Sequence, residues 1–438
     1  MTLSFSFFLK HVFSSFYGKD RPKFFLWCPE GTTSSEKWLL FKIDFFILTY
    51  GCLAYFTKWL DQANLSNAYV SGMREDLKMF GTEYNLATTC FSLYPLRFFV
   101  GFLEGSCFVG IQFVLGSWYK RSEIGKRTAV FSCAAYVGSM VSGYLQSAVL
   151  AGLDGKNGLV AWRWVFIIDG IITVIVAIFG FIFFPDTPYN TKAFYLSDED
   201  KKRSIQRLVE DGREETTRFT WDLFLRTIKS RHLYMLTILW MFWNTTVGKV
   251  ANTVMQLYLK TDTTRHWSLY DVNNIPTSIN GWNIVLSMAL NIYVDATGYR
   301  MAAIVFNLCI LLFGTICLVI WDIPLGLRIV SYMFAGSDGP LSPLYYSWAN
   351  ILTSGDTQVR ALTLAIMNSC GAALTTVIQQ FLYPVTDAPQ FGKGFKASLG
   401  FICGMCIWVL LLRYFELQEL ERLDEMEETE YEQQEEKI

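Results

Sequence analysis

Charge is scarce along this chain of 438 residues. Only 17% are Asp, Glu, Lys or Arg, against about 25% in soluble domains, while 52% are apolar or aromatic and mean hydropathy is +0.28. A soluble globular fold is therefore excluded. Histidine is scarcer still, with three residues at 11, 232 and 266, too dispersed to converge on a metal. The ten cysteines lie mostly inside apolar runs, which argues against a disulfide framework. Cys403-Gly-Met-Cys406 has a redox spacing, but without a second pair it reads as a packed helix face. The bases form short clusters and no stripe on a polar face, so a nucleic-acid reader is excluded. Near the N-terminus no apolar run joins a small-residue cleavage site, so residues 1–38 are expected to be a cytoplasmic lead-in rather than a signal peptide.

What is abundant is apolar and aromatic length: 36 Phe, 22 Tyr and 14 Trp suit lipid-facing surfaces and interfacial belts. A membrane span needs roughly 20 mostly apolar residues. That requirement predicts ten: Leu39–Leu60, Leu96–Tyr119, Ala129–Leu150, Trp162–Phe184, Leu233–Leu259, Pro276–Tyr293, Met301–Trp321, Leu325–Ile351, Leu362–Tyr383 and Phe395–Phe415. The long polar stretch 185–232, with ten bases and nine acids, divides an N-terminal bundle (39–184) from a C-terminal bundle (233–415). Residues 416–438 carry eleven acids and two bases, a solvated acidic tail that hides the +7 of the rest within a net charge of -2. Bases follow the second, fourth, sixth and eighth spans, which places those loops and both termini in the cytoplasm. Two bundles joined by a long cytoplasmic loop are the organisation of a secondary transporter built from repeats, with its site between the halves near midplane.

Ionisable groups inside spans are costly unless paired or facing a cavity, so they are the functional candidates. Arg97 and Glu104 lie two helical turns apart on one face of the second span. Lys249 falls between Asn244 and Asn252 in the fifth, and Asp338 lies in Phe334-Ala-Gly-Ser-Asp-Gly-Pro340. Lys249 is read either as the partner of a substrate carboxylate or as a residue snorkelling to the interface. The Gly336, Gly339, Pro340 and Pro343 cluster breaks its helix, as a gate or as a static bend.

Arg97-x3-Gly101-x2-Glu104, followed by Trp118-Tyr119 and the cluster Lys120-Arg121-Ser-Glu-Ile-Gly-Lys126-Arg127, resembles the fourth helix and following loop of the major facilitator superfamily, in its anion:cation symporter branch of the allantoate permease type. Leu60-Asp-Gln-Ala-Asn64-Leu-Ser-Asn67-Ala-Tyr69, Trp162-Arg163-Trp164 and Phe184-Pro-Asp-Thr-Pro188 fit the same branch. The wording Ser66-Asn67-Ala-Tyr-Val-Ser-Gly-Met-Arg-Glu-Asp-Leu77 and Ser347-Trp-Ala-Asn350 is most similar to fungal pantothenate and related vitamin transporters. The resemblance implies an all-helical, multi-pass membrane fold and proton-coupled uptake of a small organic anion at the plasma membrane, pantothenate first. Allantoate, nicotinate, biotin, sulfoxides or dipeptides are the other substrates it allows. It implies a monomer in the lipid bilayer, no nucleic-acid partner, no cofactor and no metal, and no enzyme activity. Arg97, Glu104, Lys249, Asn244, Asp338 and Asn64 become pathway candidates, with Asp338 as the resting partner of Lys249 or a proton carrier, and Glu104 ahead of Asp338 as the proton carrier.

Family members have twelve helices, and the shortfall here can be located. Glu83–Ser92 resembles the start of the second helix, yet Leu93-Tyr94-Pro95 runs straight into the fourth. The remainder of helix two, its cytoplasmic loop and helix three have no counterpart. The superfamily's paired loop signature therefore survives only as Asp295-Ala-Thr-Gly298-Tyr-Arg300 in the second half, beside Arg121 and Arg127 in the first. A shortened transporter is the leading reading, and a non-transporting isoform or sensor is the alternative. A membrane enzyme is disfavoured, because no nucleophile, base and orienter converge at one depth.

Overall fold

The computed structural model describes residues 11–13, 27–28, 32–77, 108, 110–112, 114–210, 221–353 and 357–435, and those residues contain helices and no strand. In an apolar solvent each backbone N–H must find its carbonyl within the same segment, which is why long apolar stretches settle as helices.

Helix α1 runs from Ser34 to Asp76, with π-helical turns at Asp44–Leu48 and Tyr69–Met73 and a break at Ser71–Gly72, where Gly72 takes φ 113°. α2 (Arg121–Gly152) and α3 (Ala161–Phe183) complete the described part of the first half. On α3, Ile167, Ile171, Val174, Ile178 and Phe181 repeat at helical spacing and stay exposed, while Val165, Asp169, Val176 and Gly180 are buried. One face meets lipid and the other meets protein.

Two short helices follow in the central segment, α4 (Asp198–Glu210) and α5 (Trp221–Lys229). The second half comprises α6 (Arg231–Asn244), α7 (Ala251–Thr261), α8 (Leu269–Asn274), α9 (Thr277–Thr297), α10 (Arg300–Ile320), α11 (Leu325–Ala335), α12 (Leu341–Leu352), α13 (Thr357–Leu382) and α14 (Gly392–Glu435).

Among the described residues six helices are long and apolar enough to cross a membrane: Ser34–Asp76, Lys126–Gly152, Ala161–Phe183, Arg300–Ile320, Gln358–Leu382 and Gly392–Arg422. Each contains one of the ten expected spans in whole or nearly so. Three expectations change. Leu233–Leu259 is split between α6 and α7, Leu325–Ile351 is split between α11 and α12, and Pro276–Tyr293 forms the unbroken α9 but carries too many Asn and Ser residues to qualify on hydropathy. The expected span Leu96–Tyr119 falls largely outside the described residues.

Among the described residues the two halves share one buried apolar cluster. There Leu65, Tyr69, Val70 and Met73 of α1 pack with Val254, Met255 and Tyr258 of α7 and Tyr332 of α11. At the other end Leu39, Ile43 and Phe131 form a core of the first half, and Leu239, Ile304 and Trp348 a separate core of the second. Among the described residues the bundle is thus sealed at the end where α1 finishes.

Candidate functional site

The break between α6 and α7 follows from its sequence. Thr245 and Thr246 turn their hydroxyls back onto the carbonyls of Met241 and Trp243, at 3.1 and 2.8 Å, which competes with continuation of the helix. The freed N–H of Val247 is taken up by Ser398 Oγ of α14 at 2.8 Å. A 3-10 turn, Val247–Lys249, then projects Lys249 toward the second break, at residues 336–340 between α11 and α12. Gly248 makes the approach geometrically feasible, since a Cβ there would lie 2.7 Å from Cβ of Asp338.

At the meeting of the two breaks Lys249 Nζ lies 2.8 Å from Asp338 Oδ2, with side-chain exposures of 18% and 5%. The same ammonium sits 3.3 Å from the ring centre of Trp243, whose indole donates to the Asp338 carbonyl at 3.0 Å. The broken backbone is otherwise satisfied by side chains. Asn283 donates to the Gly336 carbonyl and accepts from the Gly339 N–H, at 2.7 and 2.8 Å, and Asn307 donates to the Ser337 carbonyl at 2.8 Å. Unwound backbone at membrane depth is tolerated where it is buried in protein in this way. A paired ammonium and carboxylate there can exchange partners with an incoming anion, which a fully apolar seam cannot do.

A second polar group lies along the sealed seam. Asn67 donates to Ser142 Oγ of α2 and Ser142 donates to Asn64 Oδ1, both at 2.6 Å, and Gln256 of α7 hydrogen-bonds Asn67 across the halves. Asn273 donates to Ser71 Oγ at 2.9 Å, and Lys260 to the Val70 carbonyl at 2.8 Å.

A third group sits at the opposite end of the first half. Arg127, fully buried, grips both oxygens of Asp44 at 2.6 and 2.9 Å, and the Tyr119 hydroxyl and Trp27 indole donate to the same carboxylate at 2.7 Å each. Next to it Arg207 of α4 pairs with Glu123 and Glu36, both at 2.6 Å, and Lys42 pairs with Asp200 at 2.7 Å. Burial pushes the Asp200 carboxyl upward, but hydrogen bonds from Lys42 and Ser197 outweigh it and hold it below the usual carboxylate range. The central segment is therefore pinned to the first half by charge, in two places at once.

The sequence candidates separate accordingly. Lys249 and Asp338 come together. Asn64 joins the seam, and Asn244 turns away from the ion pair, donating to the Trp240 carbonyl at 2.9 Å while its own carbonyl accepts from Thr375 of α13. Arg97 and Glu104 lie outside the described residues, as does the side chain of Arg121. Arg127 serves the Asp44 cluster rather than a free loop. Arg300 does not pair with Asp295 of its own motif; it reaches Glu416 of α14 at 2.9 Å, which Arg413 also holds at 2.6 Å. Glu416, expected at the head of a solvated tail, is thus 8% exposed within a continuous helix. Gly298 closes α9 in the left-handed region, φ 72°, the conformation its motif reserves for glycine. Sequence reading passed over Asp44, Gln256 and Ser142. The signals were present: Asp44 is the one acid in Leu39–Leu60, and Lys249, Asn252 and Gln256 follow i, i+3, i+7 spacing.

Comparison with known proteins bears on this arrangement. A family model described as Major Facilitator Superfamily matches residues 86–378. MFS transporter PfmaC of Pestalotiopsis fici is 33% identical over 454 aligned positions, which take in 92% of this chain and 85% of that protein. Pantothenate transporter liz1 of Schizosaccharomyces pombe is 34% identical over 438 positions, 89% of this chain and 84% of the relative. Among solved structures, the proton:xylose symporter XylE superposes with a TM-score of 0.54 at 14% identity, over 86% of this chain and 85% of the other. That likeness concerns the fold.

Proposed function

The chain belongs to the major facilitator superfamily and is an integral, multi-pass membrane protein, and on that premise we propose that it carries a small organic anion, pantothenate in preference, inward across the plasma membrane together with protons. The observation that carries this reading is the Lys249–Asp338 pair at the meeting of two helix breaks. A substrate carboxylate takes the place of Asp338 on the ammonium, and a proton neutralises the displaced carboxylate, because an unpaired charge at that depth is costly. Glu104, which the sequence puts first as a proton carrier, is the alternative to Asp338 in that role. The ring of Trp243 holds the ammonium in place through the exchange. The substrate class is supported by the name of the liz1 relative. No covalent step, cofactor or metal enters the cycle, and one copy of the chain suffices.

The decisive measurement is equilibrium binding of labelled pantothenate to the purified 438-residue protein in lipid nanodiscs. Saturable binding is expected, displaced by unlabelled pantothenate and not by panthenol, which has an alcohol where pantothenate has its carboxylate. Panthenol competing as well as pantothenate would remove Lys249 from substrate recognition.

The bundles 39–184 and 233–415 are proposed to lie in the membrane with the 185–232 segment and both termini in the cytoplasm, on the strength of the basic loops. The sealed end is then the outer one. Tags at Met1, within 195–230 and after Glu436 should all resist protease added outside intact cells. Cleavage within 195–230 under those conditions would reverse the orientation.

A further inference from the structure

Two polar side chains of the seam share a feature the ion pair does not explain. Beyond the turn that carries Lys249, Asn252 and Gln256 stand at i and i+4 and line one face of α7. In the first half Gln256 meets Asn67 of α1, which lies with Asn64 against Ser142 of α2, and Gln146 follows Ser142 on α2. The hydrogen-bond chain Gln256, Asn67, Ser142, Asn64 crosses the interface between the halves. It is incomplete. Gln146 stands one turn beyond Ser142, is 0% exposed, and neither atom of its amide has a partner among the described residues. Asn64 Nδ2 and the carbonyl oxygens of Asn252 and Gln256 are also buried without partners. A buried amide with nothing to bond is disfavoured, and a side chain needed only for packing would be apolar at such a position.

From these observations we infer that Gln146, with Gln256, Asn67 and Ser142, is a neutral subsite that hydrogen-bonds the hydroxyl and amide end of the anion whose carboxylate Lys249 holds. The inference rests on the proposed carboxylate reading and adds to it the chemistry of the other end. Opening the seam removes the bond that Gln256 makes to Asn67, and the substrate hydroxyls supply its replacement. The seam then stays shut without substrate and gives up its bonds only to a molecule that can restore them.

The test compares two ligands in the same nanodisc binding assay: pantothenate, and N-(3,3-dimethylbutanoyl)-β-alanine, which keeps the carboxylate and amide and lacks both hydroxyls. In the unaltered protein pantothenate is expected to bind about 100-fold more tightly, since a site built to bond a hydroxyl rejects the analogue without it. In Gln146→Leu the pantothenate affinity should fall about tenfold while the analogue keeps its own. Thermal stability of that variant should be unchanged or higher, because the substitution removes an unpartnered amide; a structural glutamine would instead lower stability and weaken both ligands alike. Equal binding of the two ligands by the unaltered protein, or a Gln146→Leu variant that weakens both to the same degree, overturns the subsite and leaves the carboxylate reading standing. Binding of neither ligand overturns both.

Discussion

Restoring about 45 to 50 residues between Ser92 and Arg97, enough for two spans and a loop, should raise weak uptake of pantothenate to strong accumulation when a proton gradient is applied. The sequence motivates this by the abrupt passage from Leu93-Tyr94-Pro95 into the segment of Arg97. The alignments add independent support. The PfmaC alignment covers 454 positions, more than the 438 residues of the whole chain, yet takes in 92% of it, about 403 residues; some 50 positions of the relative therefore have no residue here. A bundle without two of its helices would expose apolar faces to lipid, which is as apolar as the missing neighbours, so insertion would tolerate it. Polar groups fare differently, because each one left unsatisfied in hydrocarbon costs several kcal/mol. Asn67 and the side-chain oxygen of Asn64 are buried and bonded to Ser142. Uptake of labelled pantothenate in a host without its own vitamin carrier measures the effect. Robust, gradient-dependent uptake by the 438-residue form would show that the two spans are dispensable.

Neutralising Lys249 should abolish pantothenate binding, by 100-fold or more, and should also destabilise the protein. The two effects separate in a charge-removal series. Lys249→Gln leaves Asp338 buried and unpaired, and Asp338→Asn does the same to Lys249; breaking a buried pair from one side costs about 3–5 kcal/mol. Removing both charges together leaves no orphan, so a Lys249→Met and Asp338→Leu double variant should regain much of the thermal stability lost by either single change. Binding should not return with it, because the ammonium that meets the substrate carboxylate is gone. Lys249→Arg is not a conservative control, since the planar guanidinium replaces a point charge packed 3.3 Å from the Trp243 ring. Pantothenate affinity within a few fold of normal in Lys249→Gln would make the pair purely structural. Stability that fails to recover in the double variant would mean that neighbours such as Asn283 and Asn307, and not the charges, hold the two breaks together.

Composition and hydropathy alone determined that this is a helical membrane protein, and the long apolar runs located six crossing helices closely, because a span in lipid is a one-dimensional requirement on length and polarity. The Pro340 and Gly336 cluster likewise announced a helix break, since proline's missing donor acts within its own segment. Lys249 and Asp338 were legible as candidates because charge inside a span is conspicuous, and the family resemblance suggested their pairing; but 89 positions separate them, and only the packing of α6–α7 against α11–α12 sets them 2.8 Å apart. The other break, at Thr245–Lys249, has no proline to mark it and depends on Ser398 of a distant helix to take its N–H. Arg300 and Glu416 were read as parts of a loop and a tail because sequence neighbours were the only partners in view, whereas the fold buries them against each other. Asp44, Gln256 and Gln146 are ordinary residues in the sequence. Their significance is set by which helix faces them, and that is a property of the assembled bundle, where a polar group is costly or useful according to the partner it is given.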